Sequence, residues 1–150
     1  MAEFTYNPIQ LVQPNQPVLL ETSIPCGKGY VYHRNGSGIV TLRGIVNNPT
    51  SCFARYQVTF NGNIAIPEGG TVSPISVALA VDGEPILTSN ALFTPAAVDE
   101  YGNITSTAII TTPKGCCFNV SVENTSAAPA GSVAPAINVQ NANLVVSRIA

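Results

Sequence analysis

The chain has 150 residues, a length that fits one domain with a substantial core. Only 9% of the residues are charged and the net charge is -2, so the basic surface that nucleic-acid binding requires is missing. A hydrophobic content of 45% at this low charge also excludes intrinsic disorder, which combines the opposite properties.

The composition favours β-structure. Val, Ile and Thr together number 42, and these β-branched residues fit a pleated sheet but lose rotamer freedom in a helix. The 12 glycines and 12 prolines are spread along the whole chain instead of clustering in one linker. We therefore predict an all-β fold punctuated by turns.

Residues 1–17 are predicted to form an extended N-terminal arm, and residues 18–150 the folded domain. Pro8, Pro14 and Pro17 withhold backbone donors, so the arm is not expected to contribute a central strand of a sheet. The arm also carries apolar residues that need a surface to lie against. We expect them to bind a partner or a neighbouring subunit, the alternative being an arm folded back across its own domain; the candidate partner-binding residues are Phe4, Tyr6, Ile9, Leu11 and Val12.

The N-terminus has no basic region followed by an apolar stretch of signal-peptide length. No segment reaches the roughly 20 apolar residues of a membrane-spanning helix. We expect synthesis and folding in a cytoplasm, with no membrane association.

From residue 18 onward the sequence alternates with the period of two that is typical of strands. The clearest examples are residues 53–60, 75–81 and 118–123, and Asp82-Gly83 has the composition of a tight hairpin turn. Eight or nine short strands separated by turns predict an antiparallel jelly-roll sandwich. The apolar face of the alternation places these residues in or near the core: Tyr56, Val58, Phe60, Leu79, Val120 and Leu144.

Catalytic residues are hard to identify. His33 is the only histidine, so it cannot build a multi-histidine metal site, and no serine lies in a Gly-x-Ser-x-Gly motif. The adjacent carboxylates of Asp99 and Glu100 are expected to diverge at a turn. We predict that the chain is not an enzyme and uses no cofactor or metal.

Most of the cationic side chains are candidates for subunit contacts. If they converge, they can pair with carboxylates across an interface; the alternative is that they are simply solvated. The residues concerned are His33, Arg34, Arg43 and Arg55.

The cysteines lack the Cys-x-x-Cys spacing of a zinc site. We expect buried, reduced thiols, with the side chains of the vicinal pair on opposite faces if that pair lies in a strand. The four residues are Cys26, Cys52, Cys116 and Cys117.

Four segments, in order, resemble the bacterial relatives of the trimeric tumour-necrosis-factor and complement-type jelly roll. They look like a central strand, a Gly-Gly turn, a hairpin and a closing strand, and the resemblance covers about residues 37–150. The segments are Arg55-Tyr56-Gln57-Val58-Thr59-Phe60, Ile66-Pro67-Glu68-Gly69-Gly70-Thr71-Val72, Val77-Ala78-Leu79-Ala80-Val81-Asp82-Gly83-Glu84-Pro85-Ile86 and Asn141-Ala142-Asn143-Leu144-Val145-Val146-Ser147-Arg148-Ile149.

The resemblance implies a TNF-like homotrimer. Among compact members without a signal peptide, the chain is most similar to capsid decoration or head-fibre proteins of tailed bacteriophages. It would then be a structural virion protein that binds the major capsid protein, is assembled in the host cytoplasm and lies on the capsid surface. The alternative function is a spore- or cell-surface module that binds a carbohydrate or a receptor.

Overall fold

The computed structural model describes residues 1–24, 30–34, 36–44, 53–115, 117–129 and 131–149. Within them the period-two alternation becomes strands, and the one helical element is a short 3-10 turn at Leu87–Ser89. The strands are β1 (Ala2–Tyr6), β2 (Gln10–Val12), β3 (Thr22–Ile24), β4 (Val31–His33), β5 (Val40–Leu42), β6 (Phe53–Ala65), β7 (Ile75–Val81), β8 (Glu84–Pro85), β9 (Ala91–Phe93), β10 (Gly102–Pro113), β11 (Phe118–Asn124) and β12 (Ile137–Arg148).

The strands form two antiparallel sheets that pack as a sandwich. In the first sheet the order is β10-β6-β12-β1-β3, and β2 also pairs with β12. In the second sheet the order is β4-β5-β11-β7-β8, and β9 also pairs with β7. This arrangement confirms the predicted antiparallel jelly roll. No helix in the described part of the chain has the length and apolar character needed to span a bilayer.

The core lies between the two sheets. All six predicted core residues are fully buried, so the assignment of the inward face is confirmed. Tyr56 is the one polar member of that set, and its hydroxyl donates hydrogen bonds to the carbonyl oxygens of Arg43 (2.5 Å) and Tyr30 (3.3 Å). A buried tyrosine is tolerated here because its O–H finds acceptors at the edge of the core.

The hairpin predicted at Asp82-Gly83 is present between β7 and β8. Both residues have positive φ, 51° for Asp82 and 85° for Gly83. Paired positive φ values match the twist of antiparallel strands, and aspartate and glycine tolerate that backbone better than other residues.

The structure corrects the expectation that residues 1–17 lie outside the sandwich. They are extended, but β1 is a central strand between β12 and β3, with Phe4 opposite both Leu144 and Ser23. The prolines do not prevent this pairing, because Pro8 and Pro14 lie outside the strands and Pro17 makes a single bridge to Glu123. A proline restricts its own position and the residue before it, not a strand several residues away.

Candidate docking surfaces

The outward face of the first sheet carries a ladder of uncharged polar side chains. Thr59 and Thr107 face each other across β6 and β10, with their hydroxyl oxygens 3.0 Å apart. The Asn103 amide donates to the side-chain oxygens of Asn61 (3.0 Å) and Asn63 (3.1 Å). We name this surface the polar ladder; its members are Thr59, Asn61, Asn63, Asn103, Thr105, Thr107, Asn141 and Asn143.

Further hydrogen bonds extend the polar ladder across the sheet. The Asn63 amide donates to the Asn141 side-chain oxygen at 3.3 Å, and the Asn143 amide donates to the Glu3 carboxylate at 2.6 Å. β1, β6, β10 and β12 together contain only three charged residues: Glu3, Arg55 and Arg148. Side chains held in this way lose little rotamer freedom when another surface covers them, and few charges have to be desolvated.

A second exposed surface lies beside β2. Ile9, Leu11 and Leu19 are 53%, 56% and 45% exposed. The Gln10 side chain joins β2 to the segment that contains Leu19. Its carbonyl oxygen accepts the N–H of Leu19 (2.9 Å), and its amide donates to the Leu19 carbonyl (3.0 Å). We name Ile9, Leu11 and Leu19 the apolar rim.

The predicted partner-binding residues therefore separate into two groups. Phe4 and Val12 are each 2% exposed and belong to the core, so they are not available to a partner. Tyr6 is half-buried, whereas Ile9 and Leu11 are exposed. Leu11 and Val12 differ because they are successive residues of β2, and successive residues of a strand point to opposite faces.

His33 is held inside its own subunit. Its Nδ1 lies 2.8 Å from the Ser23 hydroxyl, its Nε2 lies 2.8 Å from the Ser37 carbonyl oxygen, and its ring packs on Phe4 with a centroid distance of 4.8 Å. A carbonyl oxygen only accepts, so Nε2 carries the proton in the neutral ring and Nδ1 accepts from Ser23. The imidazole thus links β3 of the first sheet to β4 of the second.

Two other candidates for subunit contacts, Arg34 and Arg43, do not lie together. Arg34 follows β4 and Arg43 follows β5, so they lie at opposite ends of the hairpin that these antiparallel strands form. Arg34, Arg43 and Arg55 are exposed, and the Arg55 guanidinium lies 4.6 Å from the centre of the Phe53 ring. Their role as subunit contacts stays a prediction. No local sequence pattern distinguishes Arg148, whose guanidinium carbon lies 4.1 Å from the centre of the Tyr30 ring.

The described residues contain no cluster of three or more His, Cys, Asp or Glu side chains suited to a metal ion. Asp99 and Glu100 are both exposed at their turn. Cys117 is exposed, which fits the expectation that one member of the vicinal pair is exposed but not the general expectation of buried thiols; Cys26, Cys52 and Cys116 lie outside the described residues.

Sequence reasoning missed two features of the surface. The polar ladder depends on the register of β6 against β10 and β12, and no local pattern in the sequence reports that register. Glu123 is almost buried, at 7% exposed, although it lies on the face of β11 opposite to the core residues Val120 and Val122. The signal available for the ladder was the recurrence of Asn and Thr at alternate positions.

Comparison with known proteins supports the fold. No protein-family model matches the sequence, and no curated protein matches it. Among solved structures, the chain is similar to the zebrafish complement 1qA globular domain, with a TM-score of 0.59 and 14% identity over 96% of this chain and 94% of that one. It is also similar to the Eiger TNF from S. frugiperda, with a TM-score of 0.65 and 13% identity over 100% of this chain and 92% of that one.

A third similar structure, the EclA C-terminal domain, is described as a sugar-binding protein. It shares 19% identity over 82% of this chain and 86% of that one, but its TM-score is 0.37, so it adds nothing to the assignment. At these identities the other two matches show the fold alone. The chain has the jelly-roll fold of the TNF and complement C1q globular domains.

Proposed function

We propose that this chain is a structural, non-catalytic module that assembles as a homotrimer and decorates the capsid of a tailed bacteriophage. In this role it binds the major capsid protein and is located on the virion surface. The observation that carries the proposal is the polar ladder, an ordered and nearly uncharged surface on the outward face of the first sheet.

The polar ladder supports assembly between copies. An outward sheet face that meets only water usually carries charged side chains, whereas here Asn and Thr side chains bond to one another across three strands. Cores of subunit interfaces are depleted in charged residues in the same way. The number of copies rests on the sequence resemblance, which implies three.

The apolar rim supports docking onto a larger shell. Its three aliphatic side chains are each about half exposed, and the Gln10 clamp holds their two segments in place before binding. Burial at roughly 25 cal/mol per Å² of apolar surface yields a modest affinity per subunit. Three rims on one trimer bind together, and avidity then strengthens the attachment.

The trimer is tested by sedimentation equilibrium of the purified chain at micromolar concentration. The expected mass is three times that of the single chain. Asn61→Arg places a charge in the middle of the polar ladder and is expected to give monomers with an unchanged β-sheet circular dichroism spectrum. Thr88→Arg, at an exposed position outside the sheets, is the control and should remain trimeric. A monomeric wild-type protein contradicts the proposal.

Capsid binding is tested by co-sedimentation with shells assembled from the major capsid protein of the tailed bacteriophage that the proposal implies. The double variant Leu11→Asp/Leu19→Asp is expected to keep its melting temperature and to lose sedimentation with the shells. Deleting the whole arm is not informative, because it removes β1 from the first sheet. Normal binding by the double variant overturns the role of the apolar rim. Glycan binding that disappears in Tyr32→Ala, which removes a ring that is 57% exposed, would favour the carbohydrate-binding alternative.

A further inference from the structure

A cleft of about 400 Å³ lies on the outward face of the second sheet. Val120 and Val122 of β11 point into the core, so the residues that alternate with them point outward and form the floor of the cleft. The lining residues are Pro17, Ile39, Asp82, Gly83, Asn119, Ser121 and Glu123.

Glu123 is a buried carboxylate at one end of this cleft. The residue is 7% exposed, and it forms an isolated antiparallel β-bridge with Pro17. Burial raises the pKa of the Glu123 carboxyl above its ordinary value, and a side-chain hydrogen bond from Ser121 opposes that rise. No lysine, arginine or histidine is among the lining residues, so no cation from the described part of the chain offsets the carboxylate there. A buried carboxylate without a cationic partner is costly, which suggests a ligand that provides one.

The opposite end of the cleft carries a second carboxylate. The Asp82 N–H donates to the Asn119 carbonyl (2.7 Å), and the Asn119 N–H donates to Asp82 Oδ1 (3.1 Å), so the turn is fixed beside Asn119. Asn119 and Glu123 are four residues apart on one strand, or roughly 13 Å at the usual rise per residue. One metal ion bound directly to both carboxylates does not fit that separation.

The wall of the cleft between these carboxylates is apolar. Pro17 lies beside Glu123, and Ile39 is 48% exposed next to β5, which pairs with β11. An apolar wall that leads to a buried carboxylate matches a side chain with a methylene stem and a cationic head. Lysine and arginine bury their stems along apolar surfaces and place their charge in a polar site.

We propose that this cleft binds a lysine or arginine side chain of a partner protein, with the stem against Pro17 and Ile39 and the cationic head at Glu123. Two features favour this occupant: the charge of its head complements the Glu123 carboxylate, and the apolar side chains of Pro17 and Ile39 match its methylene stem. The inference does not depend on the proposed capsid role, because the residues that line the cleft include no member of the polar ladder or of the apolar rim.

The test uses the ¹⁵N-labelled full chain and Nα-acetyl-lysine N-methylamide as the probe, followed by amide chemical shifts. We expect saturable shifts at Asp82, Ser121 and Glu123 with a dissociation constant in the millimolar range. The norleucine analogue, which keeps the stem and lacks the charge, should leave these amides unmoved. Glu123→Gln is expected to weaken probe binding by about tenfold, a change typical of losing one charge-assisted contact.

The matched control is Glu84→Gln, which removes an exposed carboxylate just beyond the turn that is not part of the cleft and should keep wild-type affinity. Melting temperatures of both variants, measured alongside, show whether the fold is intact. The proposal is overturned if the lysine probe causes no saturable shift, if Glu123→Gln binds as tightly as wild type, or if the norleucine analogue binds equally well. Shifts of the same amides with calcium chloride and not with the probe would also overturn it, in favour of a metal site.

Discussion

Replacing Phe4 with alanine tests whether the N-terminal strand is part of the sandwich in solution. Phe4 is 2% exposed, pairs with Leu144 of β12, and packs on the His33 ring at 4.8 Å. Truncation of a buried phenylalanine typically costs about 3–5 kcal/mol, from lost transfer free energy and the cavity left behind. We expect a value in this range, because the Phe4 side chain is almost fully buried in the core cluster.

The assay is urea denaturation at one fixed protein concentration, since the proposed association of subunits would make the apparent stability depend on concentration. A loss of this size lowers the melting temperature by roughly 6–20 °C for a domain of this length. Leu11→Ala is the matched control, because Leu11 belongs to the same N-terminal segment but is 56% exposed, and its loss should stay within about 0.5 kcal/mol. If Phe4→Ala also costs less than about 1 kcal/mol, residues 1–17 behave as a free arm and the placement of β1 in the sheet is refuted.

Two further predictions concern polar groups in and near the core. Tyr56→Phe leaves the carbonyl oxygens of Arg43 and Tyr30 without their hydroxyl donor and should lower the free energy of unfolding by about 1–2 kcal/mol in the same urea assay; an unchanged midpoint would show that water replaces the hydroxyl. Burial raises the pKa of Glu123 in the folded state above its value in the unfolded chain, so the folded state holds this proton more tightly. The free energy of unfolding of the wild type therefore falls as the pH rises from the pKa of the unfolded chain to that of the folded state. Glu123→Gln cannot titrate, so its stability relative to wild type should be greater at pH 7 than at pH 4; a difference that is independent of pH would contradict the burial of this carboxyl.

Local sequence patterns were enough to predict the fold class and the inward face of the main strands. Alternation in β6 places Tyr56, Val58 and Phe60 on one side, and this follows from the geometry of any extended chain, whatever its partners. The turn at Asp82-Gly83 was equally predictable, because a preference for positive φ is a property of those residues themselves.

Local patterns do not specify which strands are neighbours; that is visible only in the folded chain. The prolines of the N-terminal segment suggested an arm outside the sheet, yet residues 2–6 contain none, and β12, more than 130 residues away along the chain, provides their pairing partner. The burial of Glu123 depends in the same way on its bridge to Pro17. Strand pairing and the covering of a side chain are contacts between segments far apart in sequence, so neither local propensity nor periodicity specifies them.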